Sequence, residues 1–158
     1  MMKRKIMLVL GVLGLCVAFL TACSSQPAKN ADGTPSTLKS RYLGYYRSDT
    51  DNATYFDEST NEFNFNIKKS TISDGNSKNA NTEEYVVLDE KDLKSNLVGE
   101  AKKGKSEASP NDFVFYIQIK RDDQAIYQVI LSDGGKTIKM ISLGDSWDQF
   151  VFTGTAKE

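Results

Sequence analysis

The chain has 158 residues, with 20 basic and 21 acidic side chains, two cysteines and no histidine. Without histidine, neither a histidine-assisted serine or cysteine nucleophile nor a histidine-ligated zinc or iron site can be built. The nearly balanced charge leaves no basic stripe of the kind that marks nucleic-acid binding, so nucleic acid is not an expected partner.

The chain opens on a basic cluster, Lys3, Arg4 and Lys5, followed by the apolar residues 6–20. A positive flank and a short apolar run describe a secretory signal peptide. About 15 residues fall short of the ~20 that a helix needs to cross the hydrocarbon core, and Gly11 and Gly14 further disfavour a permanent span. The positive cluster stays cytoplasmic, which directs the C-terminal part outward.

The apolar run ends on Leu20-Thr21-Ala22-Cys23. An aliphatic residue, two small ones and a cysteine resemble the lipobox of bacterial lipoproteins. The resemblance implies cleavage between Ala22 and Cys23 and a diacylglycerol on the Cys23 thiol. It also implies a bacterial cell membrane location, lipid-anchored on the extracytoplasmic face, which is the cell surface in a single-membrane envelope. A thiolate is the strongest side-chain nucleophile near neutral pH, and two acyl chains hold a protein durably where one holds it marginally. The alternatives are an ordinary signal peptide with a chance cysteine and an uncleaved signal anchor.

Loss of residues 1–22 removes three bases and no acid, leaving 17 basic against 21 acidic residues and a net charge of −4. Such a total gives the folded part no reason to bind anionic lipid. Cys16 is removed and Cys23 acylated, so no thiol remains for catalysis, a disulfide or a metal site. A non-enzymatic monomer without cofactor or metal is expected.

Residues 23–37 are polar and punctuated by Pro27, Gly33 and Pro35, and read as a lipidated flexible tether. Residues 38–158 read as one antiparallel β domain, because their apolar residues recur with period two. Residues 42–47 are aromatic-rich, and Thr54-Tyr55-Phe56 follows a turn. Phe63, Phe65 and Ile67 alternate with polar residues, a polar loop covers 73–82, and Tyr85-Val86-Val87-Leu88 is a further strand. Leu93 and Leu97 at i,i+4 fit a helical turn or two, although a short irregular strand fits as well. Residues 101–111 read as a solvated loop with scattered lysines. Phe113, Phe115, Ile117 and Ile119 form one face of a strand. A tight link at Arg121-Asp122-Asp123, a strand at 126–131, a glycine turn at Asp133-Gly134-Gly135 and strands at 136–143 and 147–153 complete a meander.

About eight strands with short links predict an all-β fold, closed as an up-and-down barrel, with a β-sandwich as the alternative. The opening Leu43-Gly44-Tyr45-Tyr46-Arg47-Ser48 and the closing Phe150-Val151-Phe152-Thr153-Gly154-Thr155 resemble the first and last strands of small bacterial lipocalin-like barrels. The resemblance implies a binding fold.

Candidate chemistry is sparse. The acidic stretch from Asp49 fails the EF-hand pattern, since Ala53, Thr54 and Thr60 occupy positions that need an oxygen ligand, glycine and glutamate. The pairs Asp145/Asp148 and Glu83/Glu84 invite comparison with glycosidase carboxylates, which work across a cleft ~5–10 Å wide. Tyr45, Tyr46, Tyr55 and Trp147 are candidates to line a ligand mouth, being apolar bodies with polar tips. The competing reading makes them core and end-plug residues. Two functions follow. The first is a membrane-anchored, non-enzymatic binding module for an unknown small or envelope ligand. The second is a surface protein that engages an envelope or host protein through loops 73–82 and 101–111.

Overall fold

Eight strands follow one another round a closed, wholly antiparallel barrel: β1 (Arg41–Arg47), β2 (Glu62–Asn66), β3 (Thr71–Ser73), β4 (Thr82–Leu88), β5 (Phe113–Ile119), β6 (Ile126–Ser132), β7 (Thr137–Leu143) and β8 (Val151–Ala156). The computed structural model describes residues 28–47, 56, 61–75, 78–144 and 150–157. Each strand pairs with its neighbour in sequence, and β1 closes on β8 from Tyr42↔Ala156 to Arg47↔Val151. The up-and-down path defines two ends. β1 enters from the lower end, which also carries the β2–β3 and β6–β7 turns. The upper end carries the β3–β4 and β5–β6 connections.

The expected four-strand C-terminal meander is present, including the turn at Asp133–Gly135, where all three residues take positive φ (53°, 66° and 85°). Asp133 is the one non-glycine there, and glycine fills the other two positions because it lacks the Cβ that makes this region costly. β3 was not foreseen. Its three residues, Thr71-Ile72-Ser73, are too few for alternation to register against the polar residues around them. The expected segment at Thr54-Tyr55-Phe56 lies outside the described residues apart from Phe56, which is buried in the core.

Period two places one face of every strand inside. Phe63 and Phe65 of β2, Tyr85 of β4, Ile117 and Ile119 of β5, Val129 and Leu131 of β6 and Phe152 of β8 belong to one buried cluster. Rings meet mainly edge to face within it: Phe63 lies 4.7 Å from Phe152 at 77° and 4.9 Å from Phe56 at 88°. Such pairs add ~0.5–1.5 kcal/mol beyond area burial. An eight-stranded barrel is just wide enough for side chains to fill, and these rings fill it.

The β1–β8 seam is the tightest point. Gly44 faces Gly154 across it, and a Cβ on Gly44 would sit 1.9 Å from the Thr153 carbonyl oxygen. A Cβ on Gly154 would meet the Phe152 ring at 2.6 Å, so that ring covers the gap which the glycines leave.

Of residues 101–111, read as a loop, 101–106 are helical and 107–111 are not. An α-helix, α1 (Val98–Ser106), follows a single 3₁₀ turn (Glu90–Asp92) and lies on the outer wall of β6 and β7. Leu93, Leu97 and Ala101 bury against Tyr116, Ile126 and Leu143, which face outward from the barrel. The period-two face of β5 therefore has a second apolar face that the helix covers. Its two glycines and five polar residues hid the helix in the sequence. Contact is closest at Gly104, whose absent Cβ would lie 1.8 Å from Gln128 Oε1. The fully buried Gln128 donates to the Ala101 carbonyl at 2.8 Å.

The two helix glycines therefore predict opposite outcomes. Gly99 has open space around its Cβ position, so Gly99→Ala is expected to stabilise by ~0.5–1 kcal/mol. Gly104→Ala is expected to destabilise by ~1–3 kcal/mol as the helix is pushed off Gln128. Urea unfolding of the two variants measures both.

Candidate functional site

The lower end is closed by residues 28–40, ten of which were expected to be tether. Lys29 bridges to Pro35, and the turn between them is held by Asn30, whose side-chain amide donates to Thr34 Oγ1 and the Pro35 carbonyl at 3.0 Å each. Asp32 accepts from the Thr34 backbone N–H and hydroxyl at 3.1 and 2.6 Å. Asx turns of this kind order short polar segments without an apolar pattern. The strap is fastened to the barrel in three places. Tyr85 of β4 donates its hydroxyl proton to Asp32 Oδ2 at 2.6 Å. The Tyr42 hydroxyl accepts from the Lys39 N–H at 2.9 Å and donates to the Gly135 carbonyl at 3.0 Å. Thr34 and Leu38 are buried, and Thr37 packs on Gly135, where any Cβ would lie 1.9 Å from the Thr37 carbonyl oxygen.

Burial pushes the Tyr85 hydroxyl far above its ordinary pKa, and the bond to the Asp32 carboxylate pushes it in the same direction. Burial also raises Tyr42, opposed by the Lys39 N–H. Both phenols are thus held neutral in the fold.

At the upper end, Glu83 occupies an inward-facing position on β4 and is paired in two bonds, at 2.7 and 2.5 Å, with Arg121 of the β5–β6 turn. Glu84 turns outward to Lys120 at 2.9 Å. Successive strand residues point to opposite faces, so this acid pair cannot span a cleft in the glycosidase manner. Asp145 and Asp148 lie outside the described residues. Asp74 pins the base of loop 73–82 by accepting from the Asn81 backbone and side chain at 2.7 and 3.0 Å.

The aromatic candidates separate for the same geometric reason. Tyr45 stands 69% exposed on the outer wall. Its neighbour Tyr46 points inward, stacked on Phe150 with ring centroids 6.0 Å apart and 12° between planes. These two do not share a site. Tyr55, Trp147, Ala22 and Cys23 lie outside the described residues.

A cleft of about 260 Å³ between the strap and the β4–β5 side, and one of about 120 Å³ beside Leu97, fall below the ~300 Å³ at which small-molecule sites begin. A larger groove, about 880 Å³, is open and mixed in character, running from Ser40 and Arg41 past Asn64, Phe65, Asn66 and Ile67 to Lys68 and Lys69. No group of three or more carboxylates suited to a metal occurs among the described residues. Sequence reasoning missed the strap, whose only signal was the turn chemistry of Asn30, Asp32 and Gly33.

No protein family, no curated protein and no solved structure matches this chain. The architecture itself is that of an eight-stranded, all-antiparallel closed β-barrel with a single α-helix.

The strap bond sets an alkaline limit. A phenol whose pKa is raised in the fold contributes stability that is fully present below its unfolded value of ~10 and is lost as pH rises through and beyond it. Stability is therefore expected to fall above pH ~10. Tyr85→Phe is expected to flatten that decline while costing ~1–2 kcal/mol near neutrality, where Asp32 loses a donor. Denaturant midpoints measured from pH 7 to 11 test both effects.

Proposed function

We propose that this protein is a lipid-anchored, extracytoplasmic and non-catalytic interaction module, held to a bacterial membrane through Cys23 and engaging a protein partner at the upper end of a lipocalin-like barrel. The observation that carries this reading is the filled interior, in which rings from β1, β2, β4, β6 and β8 occupy the space that a hollow barrel would give to a ligand. The strap supports it by closing the other end with buried Thr34 and Leu38. Recognition then falls to the exterior. The upper end carries loop 73–82, rigid at its base through Asp74, and the Arg121 turn tied to Glu83. Loops positioned by a rigid scaffold are where binding residues concentrate. Of residues 101–111, the stretch 101–106 is helical and docked on the wall through Ala101, while 107–111 remain irregular and mostly exposed.

A small-ligand reading has one observation in its favour, the stacked Tyr46 and Phe150 towards the upper end of the β1–β8 seam.

Two measurements test the proposal. Mass spectrometry of the N-terminal peptide from membranes is expected to find diacylated Cys23. An unmodified thiol there, or a Cys23→Ala protein still cleaved and membrane-bound, would overturn the anchor. Replacement of loop residues 76–80 by a glycine linker is expected to abolish partner capture in a cross-linking pull-down while leaving the unfolding midpoint nearly unchanged. Stoichiometric binding of an apolar probe that quenches Trp147 would instead favour the small-ligand reading.

A further inference from the structure

We propose that the lower end of the barrel is a docking face for anionic phospholipid headgroups, an inference that rests on the lipid anchor at Cys23. Two observations meet there. The first is distance. The fold begins at Ala28, whose carbonyl already accepts from the Ser36 N–H at 2.7 Å. Only five residue steps separate Cys23 from Ala28, and even fully extended they reach at most about 18 Å. The strap thus shortens the tether and commits the lower end to the membrane side.

The second is charge. Lys29 and Lys39 on the strap, Lys68 and Lys69 in the β2–β3 turn, Lys136 after the β6–β7 turn and Lys157 beyond β8 all lie at this end and are exposed. None of the six forms an ion pair among the described residues. Lys94, Lys120 and Arg121, near the upper end, are each paired with an acid. Asp133 lies beside Lys136, and Asp32 is taken up by Tyr85 and Thr34. Glu62 of β2 is taken up by Arg41 in two bonds, at 3.0 and 2.9 Å, and Asp89, Glu90, Asp92 and Asp112 belong to the β4–β5 connection, away from the β8–β1–β2–β3 arc.

The net charge of −4 conceals this arrangement. Fields of exposed charges fade within about 8–10 Å at physiological salt, so at the end of a short tether the nearest face counts and the total does not. The open groove that ends at Lys68 and Lys69 also carries the side-chain amides of Asn64 and Asn66, which can donate to phosphate oxygens beside those two lysines, while Arg41 at its other end is held by Glu62. Docking would hold the barrel upright and point the upper end outward, where a partner can reach it.

The test uses the full-length lipidated protein in vesicles of phosphatidylcholine alone or mixed with phosphatidylglycerol. Lysines are acylated by a water-soluble reagent and read by mass spectrometry. Lys39, Lys68, Lys69, Lys136 and Lys157 are expected to react several-fold more slowly on the anionic vesicles, with salt removing the difference. Lys78 and Lys120 are expected to react equally on both. Equal reactivity of the lower lysines on the two vesicle types would overturn the proposal. Each lysine near a surface strengthens partitioning about fivefold, so Lys68→Glu with Lys69→Glu is expected to weaken it at least about 25-fold. Circular dichroism checks that this variant folds. Protein that carries no lipid and leaves phosphatidylcholine vesicles refutes the anchor. Flotation of that protein with anionic vesicles alone would still support the docking face, and its failure on both would overturn it.

Discussion

Everything in this structure depends on closing eight short strands into a ring small enough for side chains to fill. A barrel of this strand number can be filled by side chains or hold one small ligand; here aromatic and aliphatic side chains crowd the inward positions, with Glu83 the inward-facing charge held by Arg121. Gly44 opposite Gly154 lets the β1 and β8 backbones approach closely at the seam, and the Phe152 ring occupies the gap. Once the ring closes, no sheet edge remains to pair with another chain. The short strands β2 and β3 are then stabilised by the longer ones with which they share a core.

Closure also forces a division of labour between faces. The inner face is consumed by packing, which removes it as a site, while part of the outer face of β5–β7 is apolar and needs a cover. Helix α1 supplies the cover, with Gln128 held between helix and wall by the Ala101 carbonyl. The lower mouth needs a plug, and the strap provides one through Asp32, Thr34 and Leu38. Because the strap is also the route to Cys23, the proposed anchor would set the orientation of the barrel. The proposed function rests on the upper loops and the lower rim.

Strands with strong alternation were legible in the sequence. Phe63/Phe65 and Phe113/Phe115/Ile117/Ile119 point the same way at every level, and Asp133-Gly134-Gly135 announces its turn through residues that tolerate positive φ. β3 was illegible because three residues carry too little pattern. The helix was misread because Gly99, Gly104 and several lysines weaken local propensity, and its stability comes from the wall it covers. The strap was misread because its ordering depends on the hydrogen bond from Tyr85, more than fifty residues away, and on packing against Gly135, about a hundred residues away. Among the site candidates, adjacent tyrosines looked like one cluster, but Tyr45 and Tyr46 face opposite sides of one strand.

The sequence by itself determined an all-β chain of about eight antiparallel strands with a C-terminal meander, because alternation and turn chemistry are local properties of neighbouring residues. It also supplied the lipobox pattern from which attachment is inferred. Only the tertiary structure decided that the barrel is filled, that the first ten residues before Leu38 belong to it, and that six lysines scattered along 129 positions gather at one end. Those facts depend on which distant segments meet, and strand order and ring closure set that.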